Sequence, residues 1–186
     1  EKIYELIDAG ADIVLDYCYI KNFSLSRYRE SRKLDENMYV KLKKFSASNA
    51  FFDTDEMAEN LKIDFSFCDF RDTEVNFNKT VFGTGGTTFE AALFGDKYVD
   101  FEYTLFYDGN TEFINTKFGK CDISFRNAIF REGKKKFDNA KFNDGEIQFL
   151  GTDFGIGDVS FAGITTGLGK INFKVAVFGK GKIDFS

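Results

Sequence analysis

The stretch that decides the fold is RNAIFREGKKKFDNAKF, residues 126–142, which is matched by NKTVFGTGGTTFEAALF, residues 78–94. In both stretches phenylalanines are separated by seven and then by five residues, so the pattern returns every 12 residues. One series continues in both directions without a gap: Phe65, Phe77, Phe89, Phe101, Phe113, Phe125, Phe137, Phe149, Phe161, Phe173 and Phe185. A second series follows five residues later, broken at Thr166: Phe70, Phe82, Phe94, Phe106, Phe118, Phe130, Phe142, Phe154 and Phe178. The two series hold 20 of the 25 phenylalanines, so the chain is an internal repeat.

Three further positions of the 12-residue unit are each occupied by one type of residue in most units, and we call each such set of equivalent positions a column. A small residue stands two positions before the second Phe: Cys68, Thr80, Ala92, Thr104, Thr116, Ala128, Ala140, Thr152 and Ala176. A mostly β-branched residue stands two before the first Phe: Ile63, Val75, Val99, Ile123, Ile147, Val159, Ile171 and Ile183. Glycine stands three after the second series at positions 85, 109, 133, 145, 157, 169 and 181. Because residues i and i−2 of a strand share a side and glycine marks turns, each Phe and its partner are predicted to point inward together.

A helix is excluded because offsets of five and seven scatter the phenylalanines around a helix of about 3.6 residues per turn. Short strands that alternate with turns are typical of a parallel β-solenoid, whose stacked columns bring like residues together. A 12-residue coil would be too narrow for two Phe side chains, whereas two units give a four-sided coil. We therefore predict an all-β solenoid with about 24 residues per coil, in which Phe77 stacks on Phe101 and not on Phe89.

The chain divides at about residue 60, because residues 1–60 lack the period that residues 61–186 carry. A solenoid needs a cap over its apolar end, and terminal repeats are normally atypical. We therefore predict that residues 1–60 form an N-terminal cap with irregular first coils, and that residues 61–186 form the Phe-rich solenoid.

Within the first 60 residues, individual segments have recognisable patterns. Residues 1–9 predict a short amphipathic helix that Gly10 ends. Residues 12–20 and 39–52 predict strands, residues 23–37 predict a loop or a poor helix, and Thr54 is a candidate cap for a helical turn in the acidic segment 53–60.

The small-x-Phe steps of residues 78–94 and 126–142 resemble the pentapeptide-repeat proteins, in a Phe-rich variant. The opening ELIDAGADIVLDYCYI, residues 5–20, is similar to the entry segment of some members, in which a short helix and a glycine precede the first strand. The resemblance covers nearly the whole chain and implies a right-handed quadrilateral β-helix. The chain departs from the family in its 12-residue period, which places extra residues between the second Phe and the next first Phe.

Composition excludes several functional classes. The chain has 25 basic and 30 acidic residues, a net charge of −5, which argues against direct binding of nucleic acid. It has no histidine, so catalytic arrangements that need an imidazole are excluded. No apolar run approaches the ~18 residues of a membrane-spanning helix. Three cysteines without a CxxC pair weakly favour a reducing, cytoplasmic location, and the compartment is otherwise open.

Two glycine-rich patterns resemble ligand-binding loops. The GTGG sequence at 83–86 lacks the Lys-Ser/Thr that follows in a phosphate-binding loop. The acid-glycine pairs at 108–109, 132–133 and 144–145 resemble calcium-binding β-rolls, but these need a nine-residue period and an acid in every unit. We interpret both patterns as turns of the repeat and predict no tight binding of calcium.

Asp100 and Glu102 flank Phe101 and are predicted to point outward together, like the acid pair of a glycosidase. The repeat units carry no insertion that would form a cleft around them. We therefore predict that the chain is not an enzyme and has no catalytic, cofactor-binding or metal-binding residue.

Cysteine and lysine depart from the repeat at three positions. Cys68 occupies the small inward column and is predicted to be packed, whereas Cys121 replaces a turn glycine and is predicted to be exposed. Their offset is not a multiple of 12, which predicts no bond between them. Lys135 lies in an inward column, so its ammonium must reach solvent or its strand must distort.

Three functions from different classes are consistent with these patterns. The leading hypothesis is a non-catalytic structural scaffold or protein-interaction module whose protein partner is unknown. A second is a DNA mimic that binds a DNA-handling enzyme such as a topoisomerase, as some pentapeptide-repeat proteins do. Residues 61–186 carry 18 acidic and 16 basic residues, which argues against it. A third is a carbohydrate-active or carbohydrate-binding β-helix.

The final repeat predicts exposed apolar surface, because Phe173, Phe178 and Phe185 run in register to Ser186. Bare strand edges favour pairing with another chain. Two explanations stay open: the natural chain continues, or two copies stack end to end through their C-terminal coils, as the family resemblance also implies. We favour the end-to-end homodimer.

Overall fold

The computed structural model describes residues 2–55 and 61–186, and winds them into a parallel β-solenoid of about six coils with about 24 residues per coil. Each coil has four sides, because each 12-residue unit contributes two short strands separated by turns. Strands of successive coils stack in parallel and form four sheets, which we call faces 1 to 4 in the order in which the chain visits them.

The strands are short, mostly of two residues. Face 1 contains Asp12–Val14, Lys43–Ser46, Val75–Asn76, Val99–Asp100, Ile123–Ser124, Ile147–Gln148 and Ile171–Asn172. Face 2 contains Tyr19–Lys21, Phe51–Asp53, Val81–Phe82, Leu105–Phe106 and Ile129–Phe130. Face 3 contains Ile63–Asp64, Thr87–Thr88, Thr111–Glu112, Lys135–Lys136, Val159–Ser160 and Ile183–Asp184. Face 4 contains Val40–Lys41, Cys68–Phe70, Leu93–Phe94, Lys141–Phe142 and Thr165–Thr166, bridged at Lys117.

The stacking of Phe77 confirms the predicted 24-residue coil. Its ring lies parallel to that of Phe101, with centroids 5.0 Å apart and an interplanar angle of 10°. Phe89, 12 residues away, meets Phe77 edge-on at 81°. The core is therefore built from columns of parallel rings that touch one another edge-to-face, an arrangement that aromatic quadrupoles favour.

Every unit turns at a residue with positive φ. The residue two positions after the first Phe has φ between 51° and 67° in ten successive units, at 67, 79, 91, 103, 115, 127, 139, 151, 163 and 175. In a typical unit, the backbone N–H of Thr80 donates to the carbonyl of Phe77 at 3.0 Å. A positive φ at the third residue of a hydrogen-bonded turn is the pattern of a type II turn, and it favours the Asn and Gly found in five of these units.

Val175 is the least suited residue in this turn column, because its β-branched side chain has φ 52°. We expect Val175→Asn to raise the free energy of unfolding by about 1 kcal/mol, since asparagine tolerates the left-handed region. The matched control is Val177→Asn, an exposed valine without positive φ, which gains nothing. Thermal unfolding measures both, and equal changes would contradict the assignment of strain to position 175.

The small inward column holds threonine for a specific reason. Four of its threonines are fully buried, and each hydroxyl donates to a main-chain carbonyl one coil below. Thr104, for example, donates to the carbonyl oxygen of Phe77 at 2.8 Å. These hydrogen bonds tie successive coils together while satisfying the buried hydroxyls.

Turn acids add a second set of links between coils. Six Asp or Asn side chains accept a backbone N–H from the residue 24 positions later: Asp96, Asp108, Asn110, Asp122, Asp144 and Asp158. The acid-glycine pairs at 108–109 and 144–145 thus have a structural role. Asp122 is exposed, but its Oδ1 accepts from the Glu146 N–H at 2.8 Å. We therefore expect Asp122→Ala to cost about 1 kcal/mol, which is more than an ordinary exposed position.

The N-terminal residues form the first coils of the same sheets. A helix at Lys2–Asp8 agrees with the amphipathic pattern, and the predicted long strands are shorter segments separated by turns. The segment expected to be a loop or poor helix contains a regular helix, Leu25–Ser31. Ser24 caps it, and Asp64 of the next coil accepts from the Ser24 hydroxyl at 2.9 Å. Helical caps depend on such tertiary partners, so propensity alone underestimated this helix.

Residues 56–60, where a helical turn capped by Thr54 was predicted, lie outside the described residues. Thr54 itself is buried, and its hydroxyl donates to the carbonyl of Thr84 at 2.8 Å. The division at residue 60 stays a prediction.

Candidate interaction surface

Face 1 presents polar side chains to solvent. Its outward column consists of Asn76, Asp100, Ser124, Gln148 and Asn172, of which Ser124 is buried and the others are half-buried. Asn172 Nδ2 donates to Gln148 Oε1 of the preceding coil at 2.9 Å. This face is therefore polar, and part of its hydrogen-bonding capacity is used between coils.

Asp100 and Glu102, the candidate acid pair, lie on face 1. Burial raises the pKa of Asp100, and its Oδ1 accepts the backbone N–H of Glu102 at 2.7 Å. The Glu102 carboxylate accepts from the Ser124 hydroxyl at 2.7 Å. Both carboxylates thus accept hydrogen bonds from neighbouring residues on face 1. That this pair does no acid-base chemistry stays a prediction.

Faces 3 and 4 carry charge. On face 3, Glu112 lies between Lys62 and Lys136, with N–O distances of 2.6 and 3.3 Å. Burial alone would raise the pKa of the Glu112 carboxyl. The hydrogen bonds and charges of the two ammonium groups have the larger combined effect, so this pKa is lower than usual. On face 4, Lys117 and Lys141 point outward from successive coils. Both faces therefore favour water over an apolar partner.

Face 2 differs from the others because most of its outward column is apolar. The column begins with five apolar residues, one per coil: Tyr19, Phe51, Val81, Leu105 and Ile129. Asp153 and Val177 continue it towards the C-terminus. The two ends of the apolar part are its most open members, with Tyr19 62% and Ile129 45% exposed. A continuous exposed apolar stripe of this kind is typical of an interaction site. Sequence reasoning missed this column, although its signal is present: it is the residue before the second Phe in every other unit.

Polar and aromatic residues border the stripe. On one side Tyr19 Oη donates to Asp53 Oδ2 at 2.7 Å, and the guanidinium of Arg131 lies 5.0 Å from the centroid of the Tyr107 ring. On the other side stand the exposed side chains of Lys79 and Tyr103. This apolar centre with a polar rim is the usual anatomy of a protein interface.

The glycines of GTGG at 83–86 allow neighbouring coils to approach each other closely. Gly86 has φ 89°, and a Cβ there would lie 2.6 Å from the carbonyl oxygen of Asn110 in the next coil. Its backbone therefore approaches the neighbouring coil, as expected for a turn of the repeat.

Cys121 is buried, which corrects the prediction that it is exposed. Burial raises the pKa of its thiol to about 11. Gly85 and Gly109 of the predicted turn column have positive φ, but position 121 lies at the alternate corner of the coil and does not. The backbone at position 121 therefore accepts a side chain, which joins the core. At Gly145, the next residue of the same corner, a Cβ would instead lie 1.7 Å from the carbonyl oxygen of Cys121. Cys68 is buried as predicted.

Lys135 neither reaches solvent nor distorts its strand, contrary to both predicted alternatives. It is 1% exposed, and its strand keeps register with the neighbouring coils. Its ammonium group donates to three backbone carbonyl oxygens, those of Arg131 (2.7 Å), Gly133 (2.9 Å) and Ile156 (2.8 Å). A buried ammonium is tolerated because all three of its hydrogens are bonded.

The burial of Lys135 predicts a pH dependence of stability. Burial lowers its pKa to about 8, against the opposing charges of Asp153 and Glu132. When a lysine has a lower pKa in the folded chain than in the unfolded chain, the free energy of unfolding rises with pH between the two pKa values. We expect the wild type to gain about 2 kcal/mol relative to Lys135→Met between about pH 8 and pH 10. Urea unfolding of both proteins measures this difference, and a difference independent of pH would contradict the assignment.

In residues 2–55 and 61–186, no three acidic or cysteine side chains converge as a metal site would require. In the same residues, no helix has the length and apolar character to cross a membrane. Absence of bound metal or cofactor stays a prediction.

No family model, curated protein or solved structure was found to match this chain. The fold is thus defined by its own geometry as a β-solenoid repeat protein.

Proposed function

We propose that this chain is a non-catalytic solenoid of the pentapeptide-repeat type that acts as a structural scaffold or protein-interaction module, with face 2 as its contact surface. The observation that carries the proposal is the contrast between faces: among the described residues, only face 2 has five successive apolar residues, Tyr19 to Ile129, in its outward column. The Phe columns and the small-x-Phe steps support the family assignment.

A comparison of two outward substitutions tests this function. Leu105→Lys places a charge in the apolar column, and it is structurally tolerable because Lys117 and Lys141 occupy the equivalent outward position on face 4. Gln148→Lys is the matched control on face 1, because Gln148 is half-buried like Leu105 and lies in the outward column of its face. We expect immobilised wild type and Gln148→Lys to retain the same proteins from an extract of the source cells, and Leu105→Lys to lose them. Equal retention by both variants would contradict a role for face 2.

The two alternative functions find less support. A DNA mimic needs a continuous negative surface, whereas Lys117 and Lys141 give face 4 basic character. A carbohydrate-active enzyme needs a cleft between two carboxyl groups, whereas Asp100 and Glu102 lie on a flat face.

End-to-end association through the C-terminal coil is a separate proposal. The last described coil leaves Leu168 91% and Phe185 57% exposed, and Phe178 is only partly buried. Either a second copy or further coils of a longer chain would cover these side chains. If two copies stack here, Phe178→Lys converts a dimer of about twice 21.2 kDa into a monomer in light scattering.

A further inference from the structure

We infer that the partner of face 2 is a second copy of this chain, packed face to face with the two solenoid axes antiparallel. This inference rests on the proposed function of face 2 and adds the identity of the molecule that binds there. The two-fold axis lies in the interface, parallel to the strands, between the rows of Val81 and Leu105. Because the axis is a two-fold, the same surface serves both copies.

Face 2 is a regular grid of seven rows, about 4.8 Å apart, and three outward columns. The central column is Tyr19, Phe51, Val81, Leu105, Ile129, Asp153 and Val177. The column two residues later is Lys21, Asp53, Gly83, Tyr107, Arg131, Gly155 and Gly179. The column two residues earlier, whose members all have positive φ, is Tyr17, Asn49, Lys79, Tyr103, Asn127, Gly151 and Val175.

A two-fold axis parallel to the strands keeps each column opposite its own copy and reverses the order of the rows. The first row therefore meets the sixth, the second meets the fifth, and the third meets the fourth, whereas the seventh row lies outside the paired rows. In the later column this places Asp53 opposite Arg131, so two symmetry-related pairs of opposite charge form. It also places the Tyr107 ring opposite Gly83, where no side chain competes for space.

The other two columns are also complementary. In the central column Val81 meets Leu105 and Phe51 meets Ile129, which covers the apolar stripe. In the earlier column the ammonium of Lys79 meets the ring of Tyr103, a cation–π pairing.

The two charged partners are held in place before any association. Asp53 Oδ2 accepts from the Tyr19 hydroxyl at 2.7 Å, and the Arg131 guanidinium stacks 5.0 Å from the Tyr107 ring. Little side-chain entropy is then lost when the charges meet across the interface.

Neighbouring registers lose this complementarity. If the axis moves by half a row towards the N-terminus, Lys79 faces its own copy and Lys21 faces Arg131, which are repulsive contacts. If it moves by half a row the other way, Asp53 faces Gly155 and Arg131 faces Gly83, so both pairs of opposite charge are lost. Like charges and unpaired buried charges are costly, so only one register is favoured.

The size of the face indicates a weak dimer. The six rows that meet across the axis and about five residues of strand give an interface of about 30 by 13 Å, which is at the low end of specific interfaces. Sedimentation must therefore reach protein concentrations of about 1 mM, where a standard free energy near −4 kcal/mol is still detected.

A charge swap tests the inference. We expect Asp53→Arg and Arg131→Asp each to raise the dimer dissociation constant about 100-fold, because two pairs are lost at about tenfold each. The double variant Asp53→Arg/Arg131→Asp restores the opposite charges and is expected to dimerise within about tenfold of wild type. Arg126→Asp, an exposed arginine on face 1, is the matched control and leaves dimerisation unchanged. Circular dichroism confirms that each variant is folded.

The remaining outcomes overturn the inference. A wild type that stays monomeric at about 1 mM would overturn it. So would a double variant whose dimer dissociation constant is no lower than that of the single variants. Loss of the dimer in Phe178→Lys but not in Arg131→Asp assigns association to the C-terminal coil instead. If the chain is monomeric while Leu105→Lys still loses proteins that Gln148→Lys retains, the homodimer fails and the proposed function of face 2 stands.

Discussion

Replacing Phe125 with alanine is expected to lower the free energy of unfolding by about 3–5 kcal/mol. Its ring is fully buried and lies between two parallel rings, those of Phe101 at 4.8 Å and Phe149 at 5.0 Å. Two further rings, Phe113 and Phe137, contact its edges. The cavity cannot collapse, because hydrogen bonds between coils on all sides hold the neighbouring rings at their spacing.

The matched control for Phe125→Ala is Phe185→Ala, a substitution in the same column. Phe185 stacks on one ring only, Phe161 at 5.1 Å, and is 57% exposed. We expect Phe185→Ala to cost less than about 1 kcal/mol, since little new cavity forms. Urea titrations compare the two midpoints. Equal midpoints would show that the inner positions of the column carry no more packing energy than its end.

The second large effect is expected at Gly145, where Gly145→Ala should cost about 3 kcal/mol. A Cβ at this position would lie 1.7 Å from the carbonyl oxygen of Cys121 in the preceding coil. That atom belongs to the main chain and cannot rotate away, so the two coils must separate locally. Separation breaks the hydrogen bonds that link the coils at this corner, including the one from the Glu146 N–H to Asp122.

Gly151→Asn is the matched control for Gly145→Ala. Gly151 has φ 67°, and a Cβ there would meet only the side-chain oxygen of Asn127, which can move. Asn127 and Asn139 already adopt the same conformation in the equivalent turns. We expect a change within about 1 kcal/mol. If thermal unfolding shows equal losses for both variants, close approach between coils is not what requires glycine at position 145.

The periodicity of the sequence predicted the core well because the inward columns are determined by the backbone alone. A strand alternates its sides strictly, so Phe77 and its partner Val75 must point the same way once the strand is assigned. The requirement for space between two Phe columns then selected a 24-residue coil, which the stacking of Phe77 on Phe101 confirms. Turn glycines were recognised for the same local reason.

Side chains outside those columns were predicted less well. The helix Leu25–Ser31 has an unremarkable sequence, and its N-terminus is stabilised by Asp64, a residue 40 positions from its Ser24 cap. The acceptor role of Asp122 depends on a backbone N–H that is 24 residues away, so the repeat pattern around Asp122 does not reveal it. Both interactions join neighbouring coils, and no local pattern records them.

The sequence by itself determined the repeat, the inward Phe columns and the number of residues per coil, since each follows from strand alternation and side-chain volume. Only the tertiary structure decided how the exceptions are accommodated. Lys135 is buried because carbonyls of its own coil and of the next one converge on its ammonium, and Cys121 is buried because alternate corners of the coil have different backbone conformations. The apolar character of face 2 also emerges only from stacking, which aligns Val81, Leu105 and Ile129 from separate coils into one surface.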